Sequence, residues 1–128
     1  MRIGVEEARQ YWAHASQQKG SMLSPEDLPC TPDFQYWAHD GVCGVFHLAP
    51  WPGVWMGHYG IKPEMWGKAV GPARRVIEDF RNANSPDLIV GWTHEGNRAA
   101  LSFARRLGFV ETGRMNLPTG AVIMQELK

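Results

Sequence analysis

The chain has 128 residues, of which 44% are hydrophobic and 20% are charged, so it can build the core of a single domain. Its 13 basic residues equal its 13 acidic residues, which counts against a protein that holds nucleic acid or an anionic membrane by bulk positive charge. The two halves differ, because residues 1–61 carry three basic and six acidic residues whereas residues 62–128 carry ten and seven.

The start of the chain predicts helices. Arg2-Ile3 indicates a very short strand, and apolar residues at helical spacing predict a first helix from about Val5 to Gln18, which Gly20 ends. Ser24-Pro25-Glu26-Asp27 combines an N-cap, a proline at the first helical position and two acids, so one or two turns of helix are expected to begin there.

The middle of the chain changes to the pattern of β-strands. Aromatic and β-branched runs are separated by Asp40-Gly41 and by Pro50-Trp51-Pro52-Gly53, which predicts a three-strand antiparallel meander. Its strands are Phe34 to Ala38, Val42 to Leu48 and Val54 to Ile61.

The second half alternates between helices and strands. The predicted elements are a helix around Ala73 to Phe80, a strand from Leu88 to Trp92, a helix from Ala100 to Leu107 ended by Gly108, and strands from Phe109 to Met115 and from Ala121 to Gln125. A helix between the third meander strand and the next strand favours a parallel βαβ unit. The order (β)ααβββαβαββ therefore predicts a single α/β domain with a mixed sheet over residues 1–128.

The cysteine count and the distribution of apolar residues indicate the cellular compartment and the kinds of site to expect. Two cysteines, Cys30 and Cys43, are too few for a disulfide framework or a four-ligand zinc site. Glu6, Glu7 and Arg9 interrupt any signal-peptide pattern, and no stretch approaches the ~18 apolar residues of a membrane span. We expect a cytoplasmic protein with no metal site, no membrane contact and no direct nucleic-acid binding.

The segment Lys62–Gly71, KPEMWGKAVG, follows a predicted strand and precedes a helix. Gly67, Ala69 and Gly71 are small enough to let backbone N–H groups approach a ligand, and Pro72 suits the first turn of the helix. A helix N-terminus behind such a loop attracts phosphate, although a plain tight turn produces the same pattern. The loop lacks the Gly-Lys-Ser/Thr ending of a P-loop.

Two stretches together resemble a known family. PEMWGKAVG is similar to motif A of the GNAT superfamily of N-acetyltransferases, and EGNRAALSFARRLGFVETGRM is similar to its motif B. The resemblance covers Val54 to Met115 well, whereas before Val54 only the order of elements agrees. It implies the GNAT acyl-CoA N-acyltransferase fold.

The resemblance also implies a cofactor, acetyl-CoA, whose acetyl group an amine attacks directly without a covalent enzyme intermediate. The end of the fourth strand would bind the pantetheine arm, the motif A loop the pyrophosphate, and motif B would complete the site. The corresponding residues are Tyr59, Gly60 and Ile61; Trp66, Gly67, Lys68, Ala69, Val70 and Gly71; and Asn97 and Phe103.

Four residues depart from the family pattern, and one of them, Ala69, replaces the central glycine of motif A and narrows the loop by a methyl group. Trp66 stands where motif A carries Arg or Gln, and Trp55 stands where some members carry a glutamate base. Phe103 replaces the tyrosine that often acts as general acid, and phenylalanine cannot donate a proton. Two functions therefore stay open: an acetyl-CoA-dependent N-acetyltransferase, or a catalytically inactive GNAT-like binding or structural protein, for example a component of a tailed-phage virion.

Histidines are the candidates for proton transfer. His94, together with Glu95, follows the predicted Leu88 strand, and His58 lies on the motif A strand, on the opposite face from Tyr59. A hydrogen-bonded or surface histidine is the alternative in each case. The expected acceptor is a small-molecule amine or an amine of a peptide or protein, and an exposed tryptophan-rich edge favours a homodimer or a larger assembly.

Overall fold

The computed structural model describes residues 1–13 and 25–128. Seven strands form one sheet in the order β1-β2-β3-β4-β5-β7-β6, in which β4 and β5 are parallel and every other neighbouring pair is antiparallel. The strands are β1 (Arg2–Ile3), β2 (Phe34–His39), β3 (Val42–Leu48), β4 (Val54–Ile61), β5 (Leu88–His94), β6 (Val110–Leu117) and β7 (Gly120–Leu127). The predicted α/β fold with a mixed sheet is confirmed.

Within residues 1–13 and 25–128, three α-helices accompany the sheet: α1 (Val5–Arg9), α2 (Val70–Asn84) and α3 (Arg98–Leu107). The first is shorter than predicted, because Gln10–Trp12 form a 3-10 turn, and the predicted continuation to Gln18 and Gly20 lies outside the described residues. The turn expected after Ser24 is a 3-10 turn over Pro25–Asp27, and Ser24 itself also lies outside them. No helix in the described ranges is long and apolar enough to cross a membrane.

The meander is built as its turn residues predict. Asp40 (φ 42°) and Gly41 (φ 84°) both adopt left-handed backbone between the paired residues His39 and Val42, which is the conformation that a two-residue hairpin requires. Gly53 (φ 75°) lies in the turn between β3 and β4. These local turns place β2, β3 and β4 side by side in the sheet.

The sheet buries a separate cluster on each face. On one face, α2 packs Val76 and Phe80 against the sheet, and the Phe80 ring stacks on that of Phe46 at 4.0 Å between centroids. On the other face, α1 and its 3-10 turn bury Ala8 and Trp12. The first cluster also contains Leu107 of α3, so α2 and α3 cover the same face.

The parallel strands β4 and β5 pair over only three positions. The register runs from Val54 opposite Leu88 to Met56 opposite Val90. Beyond this point β4 stays paired with β3 as far as Ile61, while β5 stays paired with β7 as far as His94. The two strands therefore diverge in the middle of the sheet and leave a wedge-shaped opening there.

Candidate functional site

A cleft of about 660 Å³ occupies the opening between β4 and β5. Its narrow end lies at Gly57 and Gly91, directly after the last paired residues. A Cβ atom on Gly91 would lie 3.8 Å from the Gly57 carbonyl oxygen and 3.9 Å from the Phe109 ring. We call this space the glycine slot, because neither glycine places a side chain in it. The side chains of Tyr59, Phe46 and Ile89 border it, 3.1–3.4 Å from where a Cβ on Gly57 would lie.

Most residues of the expected cofactor set line this cleft. They are Tyr59, Ile61, Trp66, Gly67, Ala69, Val70, Asn97 and Phe103. The other three, Gly60, Lys68 and Gly71, do not line it. Gly60 has a different neighbour, since a Cβ there would lie 2.7 Å from the Trp12 indole on the opposite face of the sheet.

The wide end of the cleft leads to the N-terminus of α2. Gly67 (φ 83°) turns the preceding loop through left-handed backbone, and Ala69 caps the helix without a side-chain hydrogen bond. The N–H groups of Val70 and Gly71 have no acceptor within the helix, because the first turn of any helix lacks one. Backbone donors and the positive end of the helix dipole therefore lie next to the loop of Gly67 and Ala69, and both of these residues line the cleft.

Two of the predicted cofactor residues have structural partners in addition to their place in the cleft. The Trp66 indole Nε1 donates to the carbonyl oxygen of Ile61 at 3.3 Å, so this half-exposed ring folds back over the end of β4. Asn97 caps α3, because its side-chain oxygen accepts from the Ala100 N–H at 3.2 Å.

An aromatic wall closes one side of the cleft. Tyr59 meets Phe103 and Phe109 edge to face, at centroid distances of 6.3 and 6.4 Å. Burial raises the pKa of the Tyr59 hydroxyl, which therefore stays protonated. A Cβ on Gly57 would lie 3.1 Å from this hydroxyl oxygen, so the Tyr59 hydroxyl stands above the glycine slot. Phe103 cannot donate a proton, but the hydroxyl of Tyr59, another residue of the cleft lining, carries one.

Both candidate histidines line the cleft, whereas Glu95 does not. The exposed Glu95 carboxylate instead pairs with Arg114 at 2.9 Å. His58 lies 3.2 Å from His47, measured between their Nε2 atoms, and the two rings are stacked. Burial, with a further contribution from His47, lowers the pKa of His58 to about 4, so the imidazole is neutral at pH 7.

The charge of the lining suits an anion. None of the lining residues in the described part of the chain is acidic, and Arg106 contributes a positive charge. Arg74 donates to the Arg106 carbonyl oxygen at 2.8 Å and so joins α2 to the end of α3. Arg75 points elsewhere and pairs with Asp40 at 2.5 Å. Within residues 1–13 and 25–128, no three His, Cys, Asp or Glu side chains gather where they could hold a metal ion.

Several lining residues were not anticipated from the sequence. Gly57 and Gly91 carry a recognisable signal, since a glycine inside a strand pattern often marks a close approach of another group. Thr93 and Gln125 carry none, because their partnership joins residues 32 positions apart. Trp55, which stands where some members of the resembled family carry a glutamate base, packs on the α2 face with its ring 5.1 Å from that of Phe80.

No protein-family profile and no curated protein sequence matches the chain. Solved structures do resemble it. The aminoglycoside acetyltransferase AAC(6')-Ib, in complex with coenzyme A and kanamycin, has a TM-score of 0.76 at 13% identity, covering 100% of this chain and 92% of that one. The ribosomal-protein-S5-alanine acetyltransferase of Vibrio fischeri has a TM-score of 0.72 at 15% identity, covering 99% and 90%.

A variant of the spermidine N-acetyltransferase SpeG of Vibrio cholerae gives a TM-score of 0.75 at 13% identity, covering 99% of this chain and 92% of that one. All three are similar over nearly the whole length of both chains. The protein therefore has the GNAT acyl-CoA N-acyltransferase fold, as the two sequence motifs implied.

Proposed function

We propose that this protein is an N-acetyltransferase that takes the acetyl group from acetyl-CoA and transfers it to a primary amine. The observation that carries the proposal is the cleft itself. It runs from the glycine slot, where Gly57 and Gly91 carry no side chains, to an uncapped helix N-terminus, and none of its lining residues in the described ranges is acidic. A long, narrow ligand that ends in phosphates fits this combination. The coenzyme A complex of a protein with the same fold supports the assignment.

Different residues of the chain would bind different parts of acetyl-CoA. Tyr59 and Ile61 would border the pantetheine arm along β4, and the loop of Trp66, Gly67 and Ala69 would surround the pyrophosphate. The free N–H groups at the start of α2 supply donors that a phosphate accepts. Gly60, Lys68 and Gly71 do not line the cleft, so any contribution from them would come from the backbone or from a long side chain reaching in.

Bound acetyl-CoA supplies an activated acetyl thioester, and the protein must then remove one proton and return another. We assign the removal to His94, which lines the cleft on β5 and is half-buried. With a pKa of about 4, His58 is a poor proton acceptor at neutral pH, because efficient general bases have a pKa near the working pH. The Tyr59 hydroxyl, above the glycine slot, is a second group of the cleft that carries a proton. Phe103 cannot take its place, because phenylalanine has no proton to donate.

The acceptor is proposed as an amine on a small molecule or peptide. It would enter on the sheet face opposite α2 and α3, towards which His58, Trp92 and His94 project by strand alternation. The complexes of AAC(6')-Ib with kanamycin and ribostamycin support an amine acceptor.

Acetyl transfer to a panel of polyamines, aminoglycosides and N-terminal peptides, measured as release of free thiol, tests the proposal. We expect turnover with at least one amine, and His94→Gln is expected to lower kcat about 10²-fold or more. Binding of acetyl-CoA without turnover on any amine would favour the inactive binding protein. Absence of binding would refute the proposal.

A further inference from the structure

Gln125 is a fully buried polar residue of the cleft lining, with 2% of its surface exposed. It lies on β7 directly opposite Gly91 of β5. Paired residues on one face of a sheet are neighbours about 5 Å apart, and Gly91 has no side chain. Nothing on β5 therefore separates the Gln125 side chain from the glycine slot.

Among the described residues, only one end of the Gln125 amide has a hydrogen-bond partner. Its Oε1 atom accepts from the Thr93 hydroxyl at 3.0 Å, and Thr93 lines the same cleft. The Nε2 atom is buried and has no hydrogen-bond partner among the described residues. A buried amide donor left unpaired destabilises the folded protein, so a group that accepts this hydrogen bond offsets part of that loss.

The polar pair of Thr93 and Gln125 lies in mostly apolar surroundings. Tyr59, Phe103, Phe109 and Ala104 supply mostly apolar surface to the same side of the cleft. In such surroundings an orienting polar group is specific, because a ligand without a matching acceptor leaves the amide unsatisfied. Thr93 holds the Oε1 end of the amide, so Nε2 is the end that lacks a partner among the described residues.

We propose that Gln125, positioned by Thr93, is a binding residue that donates a hydrogen bond to a carbonyl oxygen of the ligand in the glycine slot. This inference rests on the proposed function, since acetyl-CoA is the ligand. Two of its parts carry such an oxygen: an amide of the pantetheine arm and the acetyl thioester. Either would accept from Nε2 in the same way.

The test compares wild-type protein with Gln125→Met, which keeps the length of the side chain and removes the amide. Dissociation constants for acetyl-CoA and for free CoA are measured by titration calorimetry. We expect Gln125→Met to weaken acetyl-CoA binding about three- to tenfold, as for the loss of one hydrogen bond. Equal weakening for free CoA assigns the oxygen to the pantetheine arm, whereas an unchanged affinity for free CoA assigns it to the acetyl group.

Thr93→Val tests the positioning role. It removes the hydroxyl at nearly constant shape, and we expect a smaller loss of affinity than for Gln125→Met. The double variant should bind no more weakly than Gln125→Met alone, because Thr93 acts only through the amide. Additive losses would overturn the positioning role.

The outcomes separate this inference from the proposed function. If wild-type protein binds neither acetyl-CoA nor CoA, both are overturned. If it binds acetyl-CoA and Gln125→Met binds equally well, the proposed function stands and the role of Gln125 is overturned. Thermal unfolding of each unliganded variant shows whether the comparison is made between folded proteins.

Discussion

Closing the glycine slot gives the sharpest test of where the ligand lies. In Gly91→Val the new Cβ makes ordinary contacts, 3.8 Å to the Gly57 carbonyl oxygen and 3.9 Å to Phe109. The fold is expected to tolerate it, because valine is favoured in strands and Gly91 has no left-handed φ. The two further methyl groups enter the space between β4 and β5, which the pantetheine arm would need.

The size of the effect follows from ligand linkage. A ligand at about 100 times its dissociation constant stabilises the folded state by ~2.7 kcal/mol. With an unfolding entropy of about 2.1 cal/mol/K per residue over 128 residues, that free energy corresponds to a rise in Tm of roughly 10 °C. Blocking the slot should weaken binding at least ~100-fold, which leaves a rise below about 2 °C at the same ligand concentration.

Thermal unfolding with and without acetyl-CoA measures this difference. Gly113→Val is the matched control: Gly113 lies on β6, outside the cleft, and its Cβ would lie 3.5 Å from the flexible Met124 side chain. We expect the control to keep the full rise in Tm. A full rise in Gly91→Val as well would refute the placement of the ligand between β4 and β5.

Three further predictions concern the free energy of unfolding. Gly60→Val should destabilise the protein by about 1–3 kcal/mol or more, because its Cβ would lie 2.7 Å from the rigid Trp12 indole; an unchanged urea midpoint would contradict this contact. Phe80→Ala should cost ~3–5 kcal/mol in the same assay, since the ring is fully buried and stacks on Phe46; a loss below about 1 kcal/mol would contradict that packing. The pKa of His58 falls from 6.5 to about 4 on folding. Between these pH values only the unfolded chain takes up a proton, so acidification through this range should lower the free energy of unfolding by a value on the order of 3 kcal/mol. His58→Gln should flatten this part of the stability profile, and an unaltered profile would show that His58 is not the buried group responsible.

Much of the fold could be predicted from local patterns. The left-handed residues Asp40 and Gly41 and the helix-ending Gly108 (φ 102°) act through backbone conformation, which depends on a few neighbouring residues. The site loop was equally visible, because Gly67 and Ala69 lie between a strand pattern and a helix pattern. Strand alternation also correctly assigned His58 and Tyr59 to opposite faces of β4.

By itself, then, the sequence determined the order of the elements, the turns that join them and the loop before α2. Only the tertiary structure decided where β4 and β5 separate, and so which glycines border the cleft. It also decided that Trp55 packs against Phe80, and that Thr93 meets Gln125 across 32 positions of the chain. The periodicity of the sequence fixes the face of the strand on which a side chain lies. The residue that this side chain contacts depends on the register between strands that are distant in sequence, and the packing of the whole sheet sets that register.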